Sequence, residues 1–532
     1  MRLKIANIGR VGMISDLPAY DLPVAAITDA VNVAFRDGAI TRSPGLTRAH
    51  DITGKAVWME AWYSRGNGRS IVVSEVLDAS KIYEIVGGVV SDVSPAAAIA
   101  AGYRWDSCVF GTTSILNNGS DVPFARSITD TGDITSLPNW PATWRAEIVR
   151  PFRNFLVAMK ITEGGNPLDD TRVAWSNAAA TNAVPPDWDG LDPASLAGGT
   201  SLAGDSGPIQ DAATLGQSLI IYTQTACQAM TLTGGQFIMG FRPLFNRGLL
   251  TRRCVIPFDA FHFCIGNGVI YVHDGSSIQY PAEEKVQTKF FSELDDPEQI
   301  RLSHDASRRT IEIAYTTSPE DDLPTRALTW NYATNAWRFE DYSPFKVIRG
   351  LFVPDSVRVT TWDTTDAEFG AGVSWNDMSL SWNDLDVAAG NLSFQQLVNL
   401  PGGNSAIFRR ENVQLRDGQG FVSSAAREKI DFNELLPQEA LPLLTEEVKH
   451  INRIVPQVMG SGKIYFQFGT AMSPGEGTVW GPIVPFEIGQ DWKVDFRVSG
   501  RYFAWKVYTT IEEPAAFRLS GFDLHINGAG SR

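Results

Sequence analysis

Short runs of β-branched and aromatic residues, alternating or uniformly apolar and closed by Gly, Asn, Asp or Ser, recur along the whole chain. Residues 70–74, 81–86, 155–159, 219–222, 269–272 and 310–315 are clear cases, and each predicts one strand. Helical periodicity over about 11 residues is nearly absent. The best candidate, residues 431–449, is interrupted by Pro437 and Pro442, each of which would remove a helix hydrogen bond. Many short strands separated by Gly- and Pro-rich turns place the chain in the all-β class, as a sandwich, a barrel or a propeller.

Between about residues 51 and 355 the strands follow a loose recurring pattern, in which a strand with an internal Tyr or Trp runs into a turn carrying Gly or Asn. Ile82-Tyr83 with Gly87-Gly88, Ile270-Tyr271 with Asp274-Gly275, and Trp330-Asn331-Tyr332 with Asn335-Ala336-Trp337 are examples. The pattern suits propeller blades, although no strict period of ~40–50 residues is visible. Residues 356–398 differ and carry a tandem, Ser374-Trp375-Asn376-Asp377 and then Ser381-Trp382-Asn383-Asp384, which reads either as a linker anchored by its two Trp rings or as an ordinary hairpin. From residue 399 a second all-β unit follows, with clean alternation over 463–468, 493–498 and 502–508. The expected organisation is an extended N-terminal segment over residues 1–50, a β-propeller over 51–355, a linker over 356–398 and a β-sandwich-like platform over 399–532. Whether residues 1–50 join the platform is open at this stage.

Composition narrows the class further. With 15 Trp, 28 Phe and 13 Tyr among 532 residues, the chain can bury a large core, so its net charge of −15 does not make it a disordered acidic chain. That acidic balance argues against a surface evolved to grip nucleic acid, while leaving room for DNA that slides past without sticking. No run approaches the ~20 apolar residues of a membrane helix, so stable membrane insertion is not expected. Cys108, Cys227, Cys254 and Cys264 are too few and too irregularly spaced for a disulfide framework, and are expected to be reduced and buried, as suits a cytoplasmic origin.

The candidate chemistry is thin. Gly204-Asp205-Ser206-Gly207 matches the nucleophile loop of chymotrypsin-like proteases, but His50, the one upstream histidine, lies in the wrong context, and a turn is the preferred reading. Cys254, His262 and Cys264 match no zinc spacing, and a buried strand explains the last two. His273, His304, His450 and His525 read as structural or surface residues. The pairs Asp295-Asp296 and Asp321-Asp322 lie beside prolines in turns, where neighbouring acids are usually solvated. No phosphate loop, dinucleotide fingerprint or His-Glu-x-x-His is present. No catalytic, cofactor-binding or metal residue is assigned, and a non-enzymatic role is expected.

Several stretches, in order, resemble the tail nozzle proteins of short-tailed bacteriophages, also called tail tubular protein B. They are residues 29–45, Arg172 to Ala178 with Asp187-Trp188, Gly234-Gly235, His262 to Gly275, Glu284-Lys285-Val286 with Phe290-Phe291, Trp330 to Trp337, Val498 to Tyr502, and Leu519 to Leu524. The resemblance implies a propeller with a platform, six copies in a ring on the head-to-tail adaptor, and duplex DNA passing through the bore without specific binding. A tail fibre or needle is a further partner it implies, and the virion tail is the expected location. The rival expectation is a tail module that binds host glycans by stacking sugars on exposed aromatics, with Trp140, Trp188, Trp375 and Trp382 as candidates.

Overall fold

The computed structural model describes residues 2–64, 67–202, 206–234, 238–354, 392–411, 413–432 and 448–528. The expected strands all form, and the tandem with Trp375 and Trp382 and most of the Pro437 segment lie outside the described residues. The described residues form seven consecutive antiparallel blades. Blade one is built from Lys55–Ser64, Asn67–Val76, Ala79–Val86 and Val89–Asp92. Blades two to six begin at Asp106, Trp144, Ile209, Val255 and Arg301. In each, four sequential strands pair as neighbours, the meander that short turns favour. The first strand of each blade packs beside the first strand of the next, and that of blade seven returns to blade one. The chain is an all-β protein built on a seven-bladed β-propeller.

Blade seven is a composite. Lys346–Pro354, Leu392–Asn399 and Ser405–Glu411 supply three strands, and the fourth is Gly45–Ile52 from near the N-terminus, which pairs with Ser405–Glu411 from Gly45↔Glu411 to Ile52↔Ser405. Two expected boundaries are therefore corrected. The propeller extends to Glu411 instead of stopping at 355, and the segment before residue 51 supplies its closing strand. A strand donated from afar ties the first and last blades by ladder hydrogen bonds and so protects the one place where a ring built in sequence would open.

Burial follows the blades. Trp58, Trp62 and Trp105 fill the space between blades one and two, Leu156, Trp140 and Trp188 that between two and three, and Ile148, Trp175 and Met230 that between three and four. Blades six and seven are joined by Leu46, Phe345, Val398 and Phe408. Each blade thus buries both faces, which explains the uniformly buried strands Thr113–Asn117 and Thr310–Tyr315. The turns between strands use residues that tolerate a left-handed backbone: Gly275 has φ +87°, and Asp274 before it accepts the backbone N–H groups of Ser276 and Ser277.

The remaining strands are continuous with the propeller. Blade six extends through Asp29–Val31 into Ser424–Ile430, Tyr502–Tyr508, Lys463–Ala471 and Val479–Glu487, making one nine-stranded sheet. A second sheet joins Val494–Gly500, Lys449–Ser461 and Ala516–Gly528 to the N-terminal strands Arg2–Ala6, Val33–Arg36 and Ala39–Arg42. The two sheets share a core in which Phe468 stacks on Phe496 with centroids 3.7 Å apart, and Trp505 meets Phe522 edge-on at 5.4 Å. That core runs without interruption into blades four, five and six. The N-terminal segment is thereby placed in this region, apart from its closing strand. The one α-helix among the described residues, Gln287–Glu293, is too short to leave a periodic signature; Phe290 seals it against Tyr315.

Candidate functional site

The sequence candidates for chemistry are not brought together. His50 lies on the closing strand of blade seven, whereas Ser206 precedes blade four in a turn where its carbonyl accepts hydrogen bonds from Thr225. Asp296 caps the short 3-10 turn Pro297–Gln299. Asp322 is held by Lys55 and Lys346, and burial, which opposes ionisation, is outweighed by these two ammonium groups, so its pKa is lowered. The four cysteines are free and buried, and burial raises the Cys254 thiol to about 11. Among the described residues no group of three His, Cys, Asp or Glu is placed to hold a metal ion, and no helix is long and apolar enough to cross a membrane.

Trp140 and Trp188 are corrected as glycan candidates. Both are buried between blades, in edge-to-face contact at 4.8 Å, and neither face is open for a sugar to stack.

The cross-strand pair His262 and His273 was not legible as a unit. Tyr222 from the neighbouring blade places its hydroxyl 2.7 Å from His262 Nδ1 and 2.6 Å from His273 Nε2, while His262 Nε2 lies 3.0 Å from the Thr214 carbonyl. His262 therefore donates from Nε2 to the Thr214 carbonyl and accepts the Tyr222 proton at Nδ1. Burial lowers both histidines to about 4, and their mutual repulsion adds to the effect on His273. Their folded pKa values lie below the unfolded value near 6.5, so the unfolded chain binds more protons between pH 6.5 and 4. Stability is full above about 6.5 and is lost as pH falls through about 4. We expect the unfolding free energy from urea titrations to fall across that window, by on the order of 3 kcal/mol for each histidine; His262→Gln with His273→Gln should flatten the profile. An unchanged acid limb in the double variant would contradict this assignment.

Two other features have the geometry of sites. The first is an axial cavity of about 310 Å³, lined by residues from the first strands of the blades, including Trp58, Arg150, Asp211, Arg301 and Arg349, together with Arg253 from the turn before blade five. Asp106 meets Arg150 at 2.8 Å and Arg252 at 2.9 Å, and Asp211 meets Arg150 at 2.7 Å. Burial would raise the Asp106 carboxyl, but the surrounding guanidinium groups hold it far below the usual carboxylate range. Trp58 is flanked by two cations, Arg253 at 4.5 Å and Arg349 at 4.2 Å from the ring centroid.

The second is the outer rim of the C-terminal sheets. Val479–Glu487 is the edge of the nine-stranded sheet, and Val494–Gly500 that of its partner sheet. Along this rim Val479 is 74% exposed, Ile483 54% and Trp492 64%, and Arg453, Lys493 and Asp495 surround Trp492 with mixed charge. Pro482 and Pro485 lack N–H donors, which blunts the edge against strand addition. Contact there must come from side-chain packing.

No protein-family model matches the chain, and no curated protein matches it. Among solved structures, the computationally designed Ika8 protein is similar over 77% of this chain and 100% of its own, with 10% identity and a TM-score of 0.35. YCF48 bound to D1 peptide is similar over 59% of this chain and 92% of its own, with 10% identity and a TM-score of 0.34. Similarity at this level says nothing about function.

Proposed function

We propose that the chain is a structural part of a phage tail, one of six copies in a nozzle ring that attaches to the head-to-tail adaptor and forms part of the DNA ejection channel. The chain would be made in the host cytoplasm and reside in the virion tail, and would act by shape, making and breaking no bond. The observation that carries this reading is the apolar rim at Val479, Ile483 and Trp492. Exposed apolar side chains along a sheet edge and its adjoining turn suit a protein that packs against another copy of itself. The mixed charge around Trp492 fits a protein neighbour, whereas a nucleic-acid surface would be uniformly basic. The net charge of −15 further suits a wall past which DNA slides.

The test is to replace Val479 and Ile483 together by lysine. Both side chains are exposed in the single chain, so its stability should change by no more than about 0.5 kcal/mol at each position. Sedimentation velocity should show the wild-type chain as rings, alone or on the adaptor, and the double variant as a folded monomer that no longer assembles. Rings formed equally well by the variant would remove this rim from the interface.

A further inference from the structure

The charges at the propeller axis do not cancel. Arg150 and Arg252 are answered by Asp106 and Asp211, and Arg349 lies 3.5 Å from Glu60, whose other neighbour is the Ser107 hydroxyl. Arg253 and Arg301 also reach the cavity, and neither forms an ion pair with any carboxylate among the described residues. Arg301 is 8% exposed and spends its terminal nitrogens on the carbonyls of Glu298 and Ile300 and on Gln299 Oε1. Arg253 donates to the Trp105 carbonyl. The Nε atoms of both are buried without any hydrogen-bond partner. Several other arginines among the described residues share that feature, so what weighs here is the lack of a carboxylate paired with either guanidinium, which is costly for a buried cation.

The backbone adds an independent sign. Arg253 has φ +69°, in the left-handed region that an arginine rarely occupies, and its own N–H is fixed by Asp211 Oδ2 at 3.1 Å. The chain thus adopts an unfavourable local conformation that carries this guanidinium to the axis, stacked over Trp58. Burial and the neighbouring Arg301 and Arg252 push the Arg253 pKa well below the ordinary arginine value, outweighing Asp106.

We propose that the axial cavity is an anion site, in which Arg253 and Arg301, with Arg349 beside them, bind a small phosphate-type oxyanion that supplies the missing negative charge. A cavity of about 310 Å³ has room for phosphate with water, or for a phosphomonoester. Guanidinium groups carry planar sets of donors that match phosphate oxygens. The site belongs to a single chain and is independent of whether six copies form a ring.

The experiment titrates inorganic phosphate into the full-length protein in phosphate-free buffer, by calorimetry and by thermal melting, against chloride at equal ionic strength. We expect a saturable rise in Tm with phosphate that chloride does not reproduce. Arg253→Gln and Arg301→Gln should each weaken phosphate binding by about tenfold or more, the loss of one charge-assisted contact. Arg253→Gln should also melt no lower than wild type without phosphate, because an uncompensated cation is gone; Arg301→Gln loses its three hydrogen bonds to residues 298–300 as well, so for it the phosphate-dependent rise in Tm is the readout. Arg301→Lys, which keeps the charge, should retain part of the response and controls for misfolding. Tighter binding of adenosine 5′-monophosphate than of phosphate would assign the site to a phosphomonoester, and weaker binding to the free anion. A wild-type protein that responds to phosphate only as it does to chloride, or variants that respond as wild type does, would overturn the proposal.

Discussion

Replacing Arg410 by methionine is expected to destabilise the protein by about 3–5 kcal/mol, because it leaves a buried carboxylate without its cation. Glu312, in the second strand of blade six, is fully enclosed and accepts from Arg410 at 2.6 Å, from the Tyr342 hydroxyl at 2.9 Å and from Gln396 at 2.9 Å. Arg410 and Gln396 belong to blade seven, so the network fastens the composite blade to its neighbour. Burial alone would lower the Arg410 pKa, but Glu312, with Tyr342, Asp305 and Glu340 adding to it, raises it further than burial lowers it. Removing the arginine forces Glu312 either to stay charged in a poor environment or to take up a proton. Glu312→Gln in the same chain as Arg410→Met should recover part of the loss, since a neutral amide costs less to bury than a lone carboxylate. Urea midpoints of the two variants test this, and equal stability of single and double variants would sink it.

Removal of the closing strand should have a still larger effect. A chain lacking residues 2–52 loses the fourth strand of blade seven and the N-terminal strands of the second region. Leu46 and Ile52 alone are 3% and 2% exposed, and burying each contributes about 1.5–3 kcal/mol. With the ladder to Ser405–Glu411 also gone, the total loss is on the order of 5–10 kcal/mol, comparable with the whole stability of an ordinary domain. The expected product is a chain without a cooperative melt that proteases cut near the end of blade seven. A truncated chain with a wild-type melting profile would show that the propeller closes without this strand.

Individual strands were legible because a two-residue period needs only five or six positions to declare itself, as in residues 81–86 and 310–315. The blade count was not. The blades differ in length, from the ten-residue hairpin strands of blade one to the two-residue outer strands of blades two and five, and the closing strand lies more than 300 residues from its partners. The cavity escaped for a similar reason. Arg150, Arg253, Arg301 and Arg349 sit about one blade or more apart, and only closure of the ring brings them to one axis. The Arg252-Arg253 pair itself looks like any surface dipeptide. Trp140 and Trp188 misled because composition shows aromatic content but not which side of a blade a ring occupies. Trp492, the exposed ring at the rim, has no local pattern that separates it from a core residue.

The measurement that tests the central claim most directly is native mass spectrometry of the full chain, alone and mixed with the adaptor ring from the same genome. The ring reading predicts six copies, either free or assembled on the adaptor. A monomer or trimer that ignores the adaptor and binds host glycans would contradict it and favour a receptor-binding tail module.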